Sequence, residues 1–312
     1  PDGYRPPGYP LLVAAAITVA GERGFYPLLL AVNAVLGALT CGIVVLLGAS
    51  FLPLWGAVLA GLLLVFSPHH ISLGNYVLTE TLWGFGITAC LYLLSAALVD
   101  RRAVTALGAG AVGALAWAAN PVFAVVPVLL LAVVAGFRRS DLRLMLKFLL
   151  PVVIAVGCWQ LRAWLIVPAG SSTAQTRALD NFIIGAHPEF FDQWRANPRD
   201  PANQAHVEIA SADGSWSRFA TLLAPRLAAE PGLYAAWYLV EKPRLLWGWD
   251  ILVGQGDIYV YPVLSSYYEK SPPMRLSYQL MRYLHEPLLV LALAGLPLAC
   301  WRRRVDPPAV GL

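Results

Sequence analysis

Apolar and polar stretches alternate along this chain with the spacing of a protein that crosses a membrane several times. A helix needs about 20 predominantly apolar residues to cross the hydrocarbon core of a bilayer. Seven apolar runs meet or approach this length and are predicted as spans, at residues 25–47, 54–67, 78–99, 103–119, 121–136, 145–167 and 284–300. The shorter apolar run at residues 10–20 is predicted to lie in the interface between water and lipid.

Composition supports a membrane protein rather than a soluble domain. Hydrophobic residues make up 58% of the 312-residue chain and charged residues 13%, whereas soluble proteins carry about 25% charged residues. The mean hydropathy is +0.63. The sequence therefore predicts an all-α polytopic membrane protein, because helices satisfy their own backbone hydrogen bonds inside a bilayer.

Three clusters of basic residues predict the orientation, since Lys and Arg are enriched on the cytoplasmic side of membrane proteins. They are Arg101 and Arg102, then Arg138, Arg139, Arg143 and Lys147, and finally Arg302, Arg303 and Arg304. Two predicted spans separate each cluster from the next, so all three are expected on the cytoplasmic face of the cell (inner) membrane. The same count places residues 1–24 and 168–283 on the extracytoplasmic side.

The predicted spans divide the chain into three parts. Residues 1–167 form an N-terminal transmembrane module, residues 168–283 a large extracytoplasmic loop, and residues 284–312 a last span with a cytoplasmic tail. The loop is polar in its first half and aromatic in its second, and its residues 231–249 are predicted to form a helix in the membrane interface. A loop of this length exceeds what a connection needs and indicates a functional segment.

The segment Arg-Pro-Pro-Gly-Tyr-Pro at residues 5–10 places a basic side chain on a proline-rich turn at the membrane surface. Proline fixes φ and restricts the residue before it to extended conformations, so this segment is predicted not to be helical. Arg5 would then be either a positional anchor beside the membrane or a contact for an anionic head group.

Two further charged residues lie at the ends of predicted spans. Glu80 opens one span, where an ionisable side chain is costly unless it is solvated, paired or functional. Its alternative role is a helix N-terminal acid favoured by the macrodipole, with Thr79 as cap. Arg162 lies between Trp159 and Trp164 near the outer end of another span. It is either a snorkelling arginine anchored by the two tryptophans or a clamp for phosphate oxygens.

The sequence offers little support for a metal or nucleotide site. His69 and His70 follow Pro68 on the outer side, but no third ligand is placed by spacing, and an interfacial polar turn is favoured. No P-loop, GxSxG, HExxH or dinucleotide fingerprint is present, which argues against a soluble nucleotide-sugar site. No cofactor is therefore assigned, a divalent metal stays open, and no nucleic-acid partner is expected.

Several short motifs occur in an order that matches one large group of enzymes. They are RPPGYP from Arg5, Asn33, Ser67-Pro68, Leu78-Thr79-Glu80 and Trp159-x-x-Arg162. Over about residues 1–190 the chain resembles the GT-C type membrane glycosyltransferases, within them the bacterial branch related to protein O-mannosyltransferases and aminoarabinose transferases (glycosyltransferase family 39-like). The resemblance implies a GT-C type helical bundle with interfacial helices and a large extracytoplasmic loop.

The resemblance also implies an activity. Such enzymes transfer a sugar, with inversion, from a polyprenyl-phosphate carrier to a protein, lipid or glycan acceptor at the outer face of the membrane. Glu80 matches the family's second acid, whereas the principal catalytic acid precedes the proline motif and is expected upstream of residue 1. Arg5, Tyr9 and Arg162 are the substrate-binding candidates, with Arg5 and Arg162 at the carrier phosphate. Membrane lipids are the remaining expected partners.

The chain departs from the family pattern at three places. Ala163 stands where relatives have asparagine, Tyr4 where some have a glutamate metal ligand, and Asn120-Pro121 where many have Arg-Pro. Two other functions stay open, a transporter or flippase of lipid-linked sugars and an inactive membrane relative. The sequence shows neither the paired repeats nor the broken helices of transporters.

Overall fold

The computed structural model describes residues 6–130, 141–168, 174–197, 200, 203–252 and 254–305, with backbone alone at 174–175 and 296–305. Helices form the regular structure of these residues. An isolated antiparallel bridge between Gly256 and Tyr259 is the only strand-type pairing among them. The predicted all-α class is confirmed for this part of the chain.

The helices fall into an apolar set followed by a set of mostly short ones. The apolar set is α1 Gly8–Ala49, α2 Leu54–Val65, α3 Pro68–Gly74, α4 Glu80–Asp100, α5 Ala103–Ala119, α6 Pro121–Leu130 and α7 Leu142–Ile166. Then come α8 Ala174–Gly185, α9 Phe190–Ala196, α10 Gln204–Ala212, α11 Trp216–Ala229, α12 Pro231–Ala236, α13 Lys242–Leu246, α14 Tyr267–Lys270 and the long α15 Pro272–Val305. A π-helical turn, Trp237–Glu241, joins α12 to α13, so the helix predicted at 231–249 is present in three pieces.

The first helix corrects one prediction. Residues 5–10 were predicted to be non-helical, but α1 begins at Gly8, because a proline in the first turn of a helix lacks only an N–H that has no intrahelical partner. The run at 10–20 and the predicted span at 25–47 are two helical segments of α1, separated by a break at Gly21 with φ 70° and ψ 173°. That backbone conformation is essentially restricted to glycine. We call residues 8–20, before the break, the N-terminal arm.

Three described helices, α1, α4 and α7, are long and apolar enough to cross a membrane, and the α2–α3 pair adds a fourth if it is one span. Helix α5, at 17 residues, is about 26 Å long, slightly less than the ~30 Å hydrocarbon core. Helix α15 contains the span predicted at 284–300. The described part of the chain is thus helical with membrane-length apolar segments, as in an all-α membrane protein, and it has fewer clear crossings than the sequence predicts.

The α2–α3 pair is bent by 52°, which corrects the expectation that the chain has no broken helix. Pro68 occupies the start of α3, where it cannot continue the hydrogen-bond ladder of α2. Ser67 caps the new helix, its hydroxyl accepting a hydrogen bond from the His70 backbone N–H at 3.4 Å. A proline and a capping serine therefore restart the helix in a new direction.

Small residues allow α4, α5 and α7 to pack closely. Their shared core contains Cys90, Leu94, Ala109, Ala116, Trp117, Phe123, Met145, Phe148 and Val152. A Cβ built on Gly110 of α5 would overlap the carbonyl oxygen of Phe148 on α7. Membrane helices associate through this kind of backbone approach, because lipid supplies no hydrophobic driving force between them.

An ion pair joins two ends of this helical core. The Arg101 guanidinium, at the end of α4, pairs with the fully buried Asp141, which precedes α7. The first two basic clusters were predicted to share one side of the membrane, and the contact brings the residues at their edges together. The identity of that side stays a prediction, and Arg138 and Arg139 lie outside the described residues.

The described residues of the predicted outer loop form α8–α14, and the loop contacts α3. The Ser72 hydroxyl donates to the carbonyl oxygen of Ile258 at 2.7 Å, and His69 Nε2 lies 2.6 Å from the carbonyl oxygen of Trp249. These two contacts join α3 to the loop, and the side of the membrane on which they lie stays a prediction. Within the loop, His187, Glu208 and Arg226 form a buried polar cluster between helices.

Candidate functional site

The start of the N-terminal arm lies directly against the end of α5. A Cβ built on Gly8 would lie 2.6 Å from the carbonyl carbon of Ala118, so only glycine allows the two backbones this approach. Close packing against α5 therefore explains the glycine of the RPPGYP segment. It positions the next residue, Tyr9, at the point where α1, α4 and α5 meet.

The break at Gly21 brings distant parts of α1 together. In a straight helix Tyr9 and Asn33 would be separated by about 36 Å. The Asn33 side chain nevertheless lies beside the Tyr9 hydroxyl, so the break turns the N-terminal arm back along the rest of α1. Sequence reasoning placed residues 10–20 apart from the span but had no means to predict this reversal.

A cavity of about 560 Å³ opens where the arm, the start of α4 and the end of α5 converge. Its polar lining comprises Tyr9, Thr79, Glu80, Asn120 and Arg177. Its apolar lining includes Pro10, Val13, Ala14 and Ile17 of the N-terminal arm, with Val77 and Leu78 opposite. The cavity thus has a polar end and an apolar wall, a combination that suits an amphiphile with a charged head group.

Among the described residues that line this cavity, Glu80 supplies the carboxylate. It is half-buried in the first turn of α4, where the positive end of the helix dipole favours an acid. The Thr79 hydroxyl lies 3.4 Å from Glu80 Oε2, but its side chain makes no capping bond to the helix. Glu80 is thus an N-terminal acid that also lines the cavity, and its catalytic role stays a prediction.

The Tyr9 hydroxyl is buried in the cavity wall beside the side chain of Asn33. The two side chains lie close enough to interact, although their geometry falls outside the criteria for a hydrogen bond. The hydroxyl therefore has a polar neighbour within the protein and also belongs to the cavity lining. The structure thus brings together Tyr9 and Glu80, two of the residues predicted for the site.

Arg177, on helix α8 of the outer loop, supplies the positive charge of the described lining. Sequence analysis did not select it, because it is one of several charged residues in a polar segment and carries no motif. Its place in the same cavity lining as Glu80 joins segments nearly 100 residues apart, which no local pattern reveals. A guanidinium matches phosphate and carboxylate oxygens in pairs, so Arg177 gives the cavity an anion-binding group.

Arg162 and Arg5, both predicted for the site, are not among the described residues that line the cavity. The Arg162 guanidinium lies 4.4 Å from the centre of the Trp159 ring. That contact matches the reading of an arginine anchored by tryptophan, and its role at phosphate stays a prediction. Arg5 lies outside the described residues, and its neighbour Pro6 lines the cavity.

The paired histidines point in different directions. His69 contacts the Trp249 carbonyl in the outer loop, whereas His70 Nε2 lies 3.3 Å from the Gly37 carbonyl oxygen on α1. Among the described residues no group of three or more His, Cys, Asp or Glu side chains is arranged to hold a metal ion. Both histidines have structural contacts that account for their positions.

Comparison with protein-family models found no match, and comparisons with curated proteins and with solved structures found no similar protein. The residues of the cavity are therefore the basis for any functional assignment.

Proposed function

We propose that the protein is a membrane glycosyltransferase of GT-C type, which transfers a sugar from a polyprenyl-phosphate carrier to an acceptor at the extracytoplasmic face. One observation carries the proposal. A single cavity combines the Glu80 carboxylate, the Tyr9 hydroxyl, the Arg177 guanidinium and an apolar wall. These groups suit a substrate with a phosphate, a sugar and a prenyl chain.

The chemistry follows from the charges. The acceptor hydroxyl oxygen attacks the anomeric carbon and loses its proton to a carboxylate, for which Glu80 is the described candidate. The bond between the anomeric carbon and the phosphate oxygen breaks, and polyprenyl phosphate leaves with an additional negative charge. Arg177 would stabilise that charge in a partly water-excluded site, as electrostatic catalysis requires. The resemblance adds Arg5 at the same phosphate.

The apolar wall supports a lipid-linked rather than a soluble donor. From Tyr9 to Ile17 the N-terminal arm extends about 12 Å along its axis, and its cavity-lining residues beyond the first turn are all apolar. Burial of apolar surface contributes about 25 cal/mol per Å², so a prenyl chain against this wall gains affinity that a nucleotide would not.

The test uses the protein at its full natural length in lipid nanodiscs with a radiolabelled polyprenyl-phosphate hexose. We expect saturable binding that Arg177→Gln weakens about tenfold or more, because a charge-assisted hydrogen bond is lost. Glu80→Gln should preserve binding but lower transfer at least about 100-fold, the usual contribution of a general base. The matched control is Glu22→Gln, which changes an exposed acid that is not among the described cavity residues. Normal transfer by Glu80→Gln would contradict the site assignment.

A second candidate function is translocation of the lipid-linked sugar across the bilayer. The bent α2–α3 pair favours it, because broken helices are a feature of transporters. Liposomes containing the labelled donor in one leaflet separate the two functions. Movement of intact donor to the other leaflet without release of polyprenyl phosphate would favour translocation over transfer.

A further inference from the structure

A second cavity of about 410 Å³ adjoins the first. Both are lined by Asn120, Pro121 and Arg177, so these residues form a shared wall. The second cavity extends from that wall along α8 and α6 to Lys242 at the start of α13. A group bound in it would therefore lie next to a donor bound beside Glu80.

Lys242 is a half-buried cation with no carboxylate partner among the described residues. Its Nζ donates to the Gly185 carbonyl oxygen at 2.9 Å and lies 5.0 Å from the centre of the Tyr238 ring. Burial lowers the pKa of this amine below its usual value. An ammonium group has three donors, and these contacts leave donor capacity for a ligand. Burying a cation without an anion is unfavourable, so an anionic ligand would stabilise Lys242 in this position.

The remaining lining fits an anionic ligand with an apolar part. The described lining contains Arg177 and Lys242 as its charged residues and no acid. The side chains of Val122, Val125 and Phe182 contribute apolar surface, and each of these residues is more than half exposed. Arginine and lysine together are a common combination for phosphate, the first through paired hydrogen bonds and the second as a point charge.

We propose that this second cavity is the acceptor subsite and that the acceptor carries a phosphate group bound by Arg177 and Lys242. The acceptor role rests on the proposed function, whereas phosphate binding is inferred from the residues of the second cavity alone. It selects a phosphorylated acceptor over an uncharged hydroxyl of a protein side chain. Arg177, on the shared wall, would contact both anions, and Lys242 would contact the acceptor alone.

The experiment measures phosphate binding by the full-length protein in phosphatidylcholine nanodiscs. Two probes are used separately, phosphatidic acid at increasing mole fraction and free glucose 1-phosphate, and bound ligand is counted by native mass spectrometry. We expect Lys242→Gln, which keeps a donor for the Gly185 carbonyl, to weaken binding about tenfold. Asn181→Asp adds an acid at an exposed position of the lining and should abolish binding without unfolding the protein. Arg218→Gln is the control, because Arg218 is exposed and pairs with Asp213.

The outcomes separate the two proposals. Preference for phosphatidic acid identifies a lipid acceptor, and preference for glucose 1-phosphate a soluble one, and both support the subsite. Equal binding by the unmodified protein, Lys242→Gln and Asn181→Asp would overturn it, as would an equal loss in Arg218→Gln. Donor binding is measured in the same samples. If Lys242-dependent phosphate binding persists where no donor binds, the acceptor role and the proposed function fail while the phosphate site remains.

Discussion

Asn33 on α1 donates a hydrogen bond from Nδ2 to the carbonyl oxygen of Gly74 at 3.1 Å. A second contact from the same nitrogen reaches the Tyr76 carbonyl oxygen at 3.3 Å. The buried amide thus fixes the turn that leads from α3 into the residues before Glu80. Asn33 thereby positions the Glu80 carboxylate. Asn33 itself is not one of the described residues that line the cavity.

Replacing this amide should disturb the site as well as stability. Asn33→Leu keeps the side-chain size but leaves two carbonyl groups without a donor, a loss of about 1–3 kcal/mol. We expect a lower thermal unfolding midpoint and slower sugar transfer with donor affinity nearly unchanged. Asn75→Leu is the control, because Asn75 is exposed and its side-chain amide donates to the Ile71 carbonyl oxygen of its own helical turn. Equal effects from both substitutions would contradict a positioning role for Asn33.

Two glycines of α5 make a matched pair for the helix packing. Gly110→Ala should cost about 1–3 kcal/mol, because its Cβ would overlap the Phe148 carbonyl oxygen and neither backbone can easily move. Gly108→Ala meets nothing within 4 Å and should be neutral or slightly stabilising. Thermal unfolding in detergent measures both. A Gly110→Ala protein as stable as the Gly108→Ala protein would mean that α5 and α7 are further apart than described.

The loop cluster predicts a pH dependence of stability. Burial, together with the neighbouring Arg226, lowers the pKa of His187 below its ordinary value of 6.5, although its bond to Glu208 acts in the opposite direction. The unfolded chain therefore binds more protons than the folded one between the two pKa values. Stability should be full above about pH 6.5 and fall as the pH drops toward the folded pKa, by at most about 1.4 kcal/mol per pH unit.

The measurement is unfolding followed by tryptophan fluorescence, since Trp216 packs against Phe219 of the same loop core. The matched variant, His187→Gln, retains a hydrogen-bonding side chain but cannot titrate. Its unfolding midpoint should change less between pH 5.5 and 7.5 than that of the unmodified protein. An identical pH profile in the two proteins would exclude His187 as the group responsible.

Orientation is testable by labelling single cysteines in intact cells. Ser211→Cys in the outer loop and Asp100→Cys at the end of α4 are both at exposed positions. In a background with Cys158 and Cys300 replaced by serine, a membrane-impermeant maleimide should label the first and not the second. Cys41 and Cys90 are buried and should not react. Labelling of Asp100→Cys but not of Ser211→Cys would show that the orientation is opposite to the predicted one.

The sequence predicted the helices best where charge or proline ends an apolar run. The run at 103–119 coincides with α5, because Arg102 and Asn120 bound it. The run at 78–99 matches α4, which ends at Arg101 in a left-handed conformation. The start of α1 was predicted incorrectly, since proline in a first turn obeys a different rule from proline inside a helix.

Only some of the residues that line the cavity could be predicted from the sequence. Motif order selected Tyr9 and Glu80, which lie near the ends of apolar helices, where the sequence changes visibly from polar to apolar residues. Arg177 and Lys242 come from the outer loop, and their positions depend on how short helices fold back over α5 and α6. No period or spacing encodes such a contact. Asn120, to which sequence analysis gave no chemistry, lies in the wall between the two cavities.

The break at Gly21 has a consequence for how α1 tolerates change. A continuous helix turns about 100° per residue, so the direction of every side chain fixes the direction of all the others. The φ of 70° at Gly21 interrupts that relation, so the faces of the two segments cannot be read from one continuous 100° period. Val13 and Ile17 line the cavity in a direction set by the backbone of this single glycine. A substitution at Gly21 would therefore change which side chains of the N-terminal arm face the cavity, although Gly21 itself is not among the described lining residues.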